Sequence, residues 1–224
     1  MQVGGAALVI YGPLTLAGAV IFFRLVGPSV ASASSGEAAL ARIAQVGSVF
    51  RVMHAFLHLS PILLIPGMAA IYQVGASSQP WLALTGLLMG IVGVVVPLGW
   101  IYALNEGLYR LAIGHADTHD SSERAGRVAA ATMNLGIQAG GELLQSSLLG
   151  GWALFASVSL RTAWGDGWLL YLGIAAGIGF IVSGLAAALP RIFTVSRLLG
   201  TIGTAGVFLF LAWAVAAGVR LLAG

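Results

Sequence analysis

Residues 80–112, PWLALTGLLMGIVGVVVPLGWIYALNEGLYRLA, decide the fold class of this chain. No charged side chain occurs in this stretch before Glu106. A hydrocarbon core about 30 Å thick is crossed by about 20 helical residues. The stretch is therefore predicted to be a transmembrane helix.

Five further stretches are apolar over a similar length, so the predicted spans are residues 4–27, 47–74, 80–112, 127–160, 167–189 and 197–221. Of the 224 residues, 59% are apolar and 8% are charged, whereas about a quarter of a soluble domain is charged. We predict an all-α, polytopic integral membrane bundle of six transmembrane helices that forms a single domain over residues 1–224.

The arginines predict the topology. Lysine is absent, so all ten basic residues are arginine. Those at the first, third and fifth connections are Arg24, Arg42, Arg51, Arg110, Arg124, Arg127, Arg191 and Arg197, against Arg161 and Arg220 elsewhere. Because cytoplasmic loops are enriched in basic residues, we expect the odd connections in the cytoplasm and both termini outside. The same placement at helix ends indicates a lipid bilayer, and no nucleic acid, as the partner of the basic residues.

A polar stripe interrupts the fourth span in MNLGIQAGGELLQSSLLGGW, residues 133–152. At about 100° per residue, Asn134, Gln138, Glu142 and Gln145 share roughly one quarter of the helix circumference. An ionisable side chain inside a span is costly unless it faces protein or water. We expect this face to line a ligand site, with Glu142 at its centre.

Two other spans carry a polar face each. Arg51, His54 and His58 lie within about 60° of arc on the second span, and a face of about 100° on the third carries Tyr102, Asn105, Glu106 and Tyr109. With the odd connections inside, these faces predict an intramembrane pocket open to the cytoplasm that binds an ion or small molecule. The predicted ligand-binding residues are Glu142, Gln138, Asn134, Gln145, Glu106, Asn105 and Tyr109.

The predicted cofactor alternatives use the two intramembrane histidines. His54 and His58 are spaced i, i+4, and Glu106 and Glu142 could complete a metal site with two histidines and two carboxylates. One of these histidines could instead ligate haem, with Met53, Met68 or Met133 opposite. A quinone needs only an apolar cleft and groups such as His58, Tyr109 and Gln138. For the polar segment at residues 114–126, with His115, Asp117, His119 and Asp120, a solvated loop is favoured over a metal site.

Several function classes are excluded by what the sequence lacks. Without cysteine there is no disulfide or thiolate metal site, and without lysine there is no Schiff base to retinal or pyridoxal phosphate. The sequence has no H-E-x-x-H, phosphate-loop or G-x-S-x-G motif. Three hypotheses remain: a binding protein that acts as a proton-coupled carrier through Glu142, a membrane-embedded redox enzyme or subunit, and an accessory subunit of a larger complex. Glu106 or Glu142 as general acid or base also stays open.

Glycine and proline indicate how the spans pack. Pairs at four-residue spacing, which allow close helix contact, are Gly86 and Gly90, Gly136 and Gly140, and Gly173 and Gly177. The Gly-rich fifth and sixth spans are the expected contact for a second copy or a membrane-complex partner. Pro61 and Pro66 predict a distortion in the second span. The second half of residues 31–45 is expected to form a short interfacial helix.

The distal third of the chain resembles a known type of family. The stretch LFASVSLRTAWGDGW (154–168) is followed by a Gly-rich span, the turn Ala-Leu-Pro190-Arg191 and a closing apolar span. This order resembles uncharacterised bacterial six-helix membrane-protein families of the domain-of-unknown-function type. The resemblance implies a multi-pass prokaryotic inner-membrane protein and implies neither an activity nor a site residue.

Overall fold

The computed structural model describes residues 1–22, 24, 36–188 and 196–224, without the side chains of Pro97, Ala187 and 196–200. All regular structure in these ranges is helical, and no strand occurs in them. The helices are α1 (Gln2–Ile21), α2 (Gly36–Val46), α3 (Ser48–Leu59), α4 (Leu64–Ala76), α5 (Pro80–Asp117), α6 (Ser121–Trp164), α7 (Gly167–Ala188) and α8 (Ser196–Ala223), with a 3₁₀ turn, Ser60–Leu63, between α3 and α4.

Six helical segments are long and apolar enough to cross a membrane: α1, α3 to α4, α5, α6, α7 and α8. The all-α fold and the six predicted spans are therefore confirmed at the level of helix length and composition. The ends of the first and fifth predicted spans, at 25–27 and 189, lie outside the described residues, as does Arg191.

The α-helix of the second span is interrupted where proline predicts a distortion. Pro61 has no N–H group to donate, and the chain forms the 3₁₀ turn Ser60–Leu63 at this point before resuming as α4. Pro66 lies in the first turn of α4, where an N–H group has no partner inside the helix. A buried hydrogen bond of 2.8 Å between the hydroxyls of Thr15 and Ser60 ties the turn to α1. The predicted distortion is confirmed.

The polar segment 114–126 is mostly helical, which corrects the loop predicted there. Only residues 118–120 separate α5 from α6. Asp120 caps α6, because its Oδ1 accepts from the backbone N–H groups of Ser122 at 2.7 Å and Glu123 at 3.4 Å. His115 is buried on α5, so the interpretation as a solvated residue holds for exposed His119 and not for His115.

The chain forms two compact units. The first unit comprises Met1–Pro13, Pro61–Pro97 and Glu142–Gly224, and the second unit comprises Leu14–Ser60 and Leu98–Gly141. Three of these divisions fall beside a proline, where a helix lacks one backbone hydrogen bond.

The first unit has an aromatic core. The Trp152 ring packs edge-on against Trp213, with centroids 5.0 Å apart, and against Phe210 at 6.0 Å. Phe180 stacks on Phe210 at 4.5 Å. All but Phe180 are fully buried, so α6, α7 and α8 of this unit share one core.

The second unit has a separate core built from Leu40, Ile43, Phe50, Met53 and Leu108, all buried. Helix α2 supplies Leu40 and Ile43 from the buried face of an amphipathic helix. The short helix predicted within residues 31–45 is confirmed from Gly36 onward, whereas residues 31–35 lie outside the described chain.

Glycines in the first unit bring helix backbones together. A Cβ atom on Gly206 of α8 would overlap the backbone of Gly179 on α7, and Gly150 of α6 faces Gly177 of α7 in the same way. Of the predicted pairs, Gly86, Gly90, Gly173 and Gly177 have close neighbours, whereas Gly136 and Gly140 have none within 4 Å. The glycines of α7 and α8 thus serve contacts within the chain, and a partner bound through these helices stays a prediction.

We expect Gly206→Ala to destabilise the protein and Gly136→Ala, its matched control, to leave it unchanged or slightly more stable. The added methyl group at 206 meets the Gly179 backbone, which cannot move without separating α7 from α8, at a cost of about 1–3 kcal/mol. At 136 it meets open space and improves helix propensity. Thermal unfolding of both variants in one detergent measures the difference; equal midpoints would contradict the close packing.

Candidate functional site

The second unit contains a small cleft between α3 and α5. Its lining residues are Phe50, Arg51, His54, Tyr102, Asn105 and Glu106. Phe50 and Arg51 lie four and three residues before His54, and Asn105 and Glu106 lie three and four after Tyr102, so the residues of each helix share one face. The cleft has a volume of about 10 Å³, which is room for about one water molecule.

Two guanidinium groups share one carboxylate beside the cleft. Nε of Arg51 donates to Oε2 of Glu106 at 2.9 Å, and Nε of Arg110 donates to Oε1 at 3.2 Å. Arg51 also lies over the Tyr109 ring, 5.3 Å from its centroid. The terminal amino groups of both arginines have no partner among the described residues, and the cluster carries one excess positive charge. The Arg51 side chain is 52% exposed, so its fork is accessible from outside.

A chain of amides ends at the cleft. Nδ2 of Asn134 donates to the backbone carbonyl of Leu104 at 3.0 Å. Nε2 of Gln138 donates to Oδ1 of Asn134 at 3.0 Å and to Oδ1 of Asn105 at 2.8 Å. Asn105 itself is 3% exposed.

The direction of this amide chain follows from its first acceptor. The Leu104 carbonyl can only accept, so Asn134 must present its NH₂ group there and its oxygen to Gln138. Gln138 then donates at both contacts, and Asn105 receives with its oxygen. Nδ2 of Asn105 is left buried without a partner among the described residues. The amide chain therefore leaves an unsatisfied N–H donor on Asn105, a residue that lines the cleft.

His54 supplies a second unsatisfied atom. Its ring packs edge-on against Phe50 at 4.3 Å and stacks on His58 at 5.0 Å with an interplanar angle of 9°. Nδ1 of His54 is buried and has no partner within the described part of the chain. Two residues that line the cleft, Asn105 and His54, thus each carry a buried polar atom without a partner among the described residues, and such atoms are costly.

The predicted metal set is not brought together. The described residues include no group of three or more histidines and carboxylates that could hold a metal ion. The His54 and His58 rings are nearly parallel, and imidazole lone pairs lie in the ring plane, so one ion cannot lie in both planes. Glu106 is occupied by Arg51 and Arg110. The metal site stays a prediction from spacing alone, and the haem and quinone alternatives also stay predictions.

The predicted site residues divide between the two units. Asn105, Glu106, Tyr109, Asn134 and Gln138 lie in the second unit and form the contacts above. Glu142 and Gln145 belong to the first unit and are partly buried. Neither makes a hydrogen bond or ion pair with any residue that the structure describes. The described hydrogen bonds therefore centre on Gln138, and Glu142 as the centre of the site stays a prediction.

The sequence-based site omitted Phe50, Arg51, Tyr102 and Arg110. Arg51 and Tyr102 lie on the predicted polar faces, but Arg51 was assigned to topology. The i, i+4 spacing of Glu106 and Arg110 was a signal for their ion pair. Sequence gave no signal for Phe50, because an apolar residue in an apolar segment has no distinguishing pattern.

Comparison with models of known protein families found no match to this chain, and comparisons with curated proteins and with solved structures also found none. The resemblance of the distal third to six-helix bacterial families accordingly stays a prediction.

We expect Gln138→Leu to lower the free energy of unfolding by about 1–3 kcal/mol, because it leaves the side-chain oxygens of Asn105 and Asn134 without donors. The matched control is Gln145→Leu, the same substitution on the same helix at a residue with no described hydrogen bond. Chemical or thermal unfolding in detergent compares the two. If Gln145→Leu lowers the free energy of unfolding as much as Gln138→Leu does, the amide chain has no special role in stability.

Proposed function

We propose that this protein is a multi-pass inner-membrane protein of a prokaryote whose second unit binds a small anion, or the oxyanion group of a polar small molecule, at the cytoplasmic side. The observation that carries the proposal is that one cleft is lined both by Asn105, whose buried Nδ2 is unpaired, and by Arg51, whose terminal amino groups have no hydrogen-bond partner among the described residues.

The chemistry of the free groups favours an acceptor ligand. Asn105 and Arg51 can only donate through these atoms, and both oxygens of Glu106 already accept from arginine. A cation would meet an excess positive charge. Hydrogen bonds between a guanidinium and an oxyanion are roughly twice as strong as those between neutral groups. The sequence predicts an ion or small molecule as the ligand. The free donors and the excess positive charge favour an anionic group within that class.

The proposed orientation places the N- and C-termini outside and the second unit's connections in the cytoplasm. In the first unit, Nε of Arg220 near the end of α8 donates to Asp166 in the α6–α7 connection at 3.0 Å. This ion pair supports an even number of membrane crossings between Asp166 and Arg220. The exposed aromatic residues at the outer ends of α5 and α7, Trp81, Trp168 and Tyr171, fit a membrane–water interface.

A binding site is compatible with each of the predicted roles as carrier, redox subunit and accessory subunit. No contact among the described residues favours a redox cofactor. The carrier hypothesis required Glu142 as the titrating group, and in the structure the cleft does not include that residue.

Titration of the purified protein with sulfate and with inorganic phosphate against chloride, at constant ionic strength in neutral detergent, tests this proposal. A specific ligand at a hundred times its dissociation constant stabilises by about 2.7 kcal/mol, so a saturable rise in melting temperature is expected. Asn105→Asp should abolish the rise, since it keeps an oxygen for Gln138 and replaces the unpaired donor with an acceptor.

Arg124→Gln is the matched control for Arg51→Gln, because Arg124 is exposed in the same unit and has no described side-chain partner. We expect Arg51→Gln to weaken the stabilisation by the oxyanion and Arg124→Gln to preserve it. A response to chloride equal to the response to the oxyanions, or equal responses in the two variants, would contradict a specific site.

The orientation is tested with topology reporters. A reporter fused after Gly224 should report a periplasmic position, and one inserted in the connection at residues 118–120 should report the cytoplasm, because of the arginine distribution. Reversed signals at both positions would place the cleft on the opposite side of the membrane.

A further inference from the structure

We infer that the anionic group bound at the cleft is the phosphate of an anionic phospholipid in the cytoplasmic leaflet. The inference rests on the proposed function and names the source of the oxyanion. Its chemistry is shared by inorganic phosphate, and the experiment below separates the two sources.

The position of the cleft along α5 corresponds to the headgroup layer. A span of about 20 residues that starts with α5 at Pro80 ends near Trp100. Trp81 and Trp100 are 79% and 42% exposed, as expected for tryptophans at the two membrane–water interfaces. Asn105 follows Trp100 by five residues, or about 7 Å along the helix. Headgroups occupy roughly 5–8 Å on each side of the hydrocarbon core, so Asn105 is at the depth of lipid phosphates.

The length of α6 leads to the same depth. Its 44 residues are about twice the roughly 20 that cross the hydrocarbon core. Because Glu123, Arg124 and Arg127 lie at its start, the excess length is at this end. A span of about 20 residues counted back from Trp164 ends near Leu144. Asn134 and Gln138 therefore lie outside the hydrocarbon core, where they can position Asn105 for a headgroup.

The size of the cleft fits one oxygen of a phosphate. The volume of about 10 Å³ admits a single water-sized group, so the other phosphate oxygens remain at the mouth. There the accessible fork of Arg51 and the 78% exposed side chain of Arg110 can contact them. Arginine suits this role because its planar donors match two oxygens of a phosphate at once.

A lipid has an advantage over a free anion at such a shallow site. Tyr102 lines the cleft and is exposed, and Val52, the neighbour of Arg51 in sequence, is also exposed. Both offer apolar surface to the glycerol and upper acyl region of a lipid. The bilayer also holds the headgroup at high local concentration beside the cleft, as a tether would.

The experiment uses the full-length protein, delipidated in neutral detergent, and three probes: phosphatidylglycerol, phosphatidylcholine and inorganic phosphate. We expect the melting temperature to rise and saturate with phosphatidylglycerol. Phosphatidylcholine should act weakly, since its choline opposes the excess charge of the arginines. For inorganic phosphate, the concentration that gives half of its maximal rise in melting temperature should be at least about a hundredfold higher than for phosphatidylglycerol.

Two variants and one control test the residues. Arg51→Gln and Asn105→Asp should raise the phosphatidylglycerol concentration for half-saturation at least about tenfold, and Arg124→Gln should change it less than about threefold. If Arg51→Gln fails to fold, Arg110→Gln tests the same excess charge at a more exposed side chain.

The outcomes distinguish the two proposals. Inorganic phosphate that binds as well as phosphatidylglycerol and displaces it would overturn the lipid source and leave the anion site standing. Absence of any response to phosphate, sulfate or phosphatidylglycerol would overturn both. If Arg51→Gln and Arg124→Gln raise the phosphatidylglycerol concentration for half-saturation equally, lipid binding is general charge attraction, and the specific site is overturned.

Discussion

A hydrocarbon solvent offers no hydrogen-bonding partner, so a chain that crosses it must pair its backbone N–H and C=O groups internally. The described part of the chain meets this requirement, because all of its regular structure is helical. Where Pro61 removes a donor, the chain forms a short 3₁₀ turn and resumes as a helix, with the buried Thr15–Ser60 hydrogen bond at the same place. Helix packing then requires close backbone contact, which Gly179 and Gly206 provide.

Burial between packed helices imposes a similar requirement on the polar side chains of the proposed site. Three amide residues satisfy one another, and a single backbone carbonyl, that of Leu104, sets the direction of all three. The consequence appears at the far end, where Asn105 keeps an N–H group that no described residue accepts. Structural pairing of polar groups and a preference for an acceptor ligand are thus two results of one hydrogen-bonded chain.

Charge adds to this preference. Glu106 could have been a ligand for a cation, but two arginines occupy its oxygens and leave the cluster positive. Both ion pairs are accessible to solvent, where such pairs contribute little to stability, about 0–1 kcal/mol each. They constrain the donors of Arg51 near the cleft more than they stabilise the unit. A ligand can therefore use the remaining donors of the fork without breaking a strong structural contact.

The sequence by itself determined the helical class, the six apolar segments, the distortion at Pro61 and the polar faces of three helices. Hydrophobic length, the missing proline donor and the 3.6-residue period are local properties, and they can be deduced from neighbouring residues. Tertiary structure decided which polar residues meet. Asn134, Gln138, Glu142 and Gln145 share one face of α6, yet the first two belong to the second unit and the last two to the first. Periodicity gives the direction of a side chain from its own helix, whereas its partner depends on the neighbouring helix, and for Gln138 that partner is Asn105.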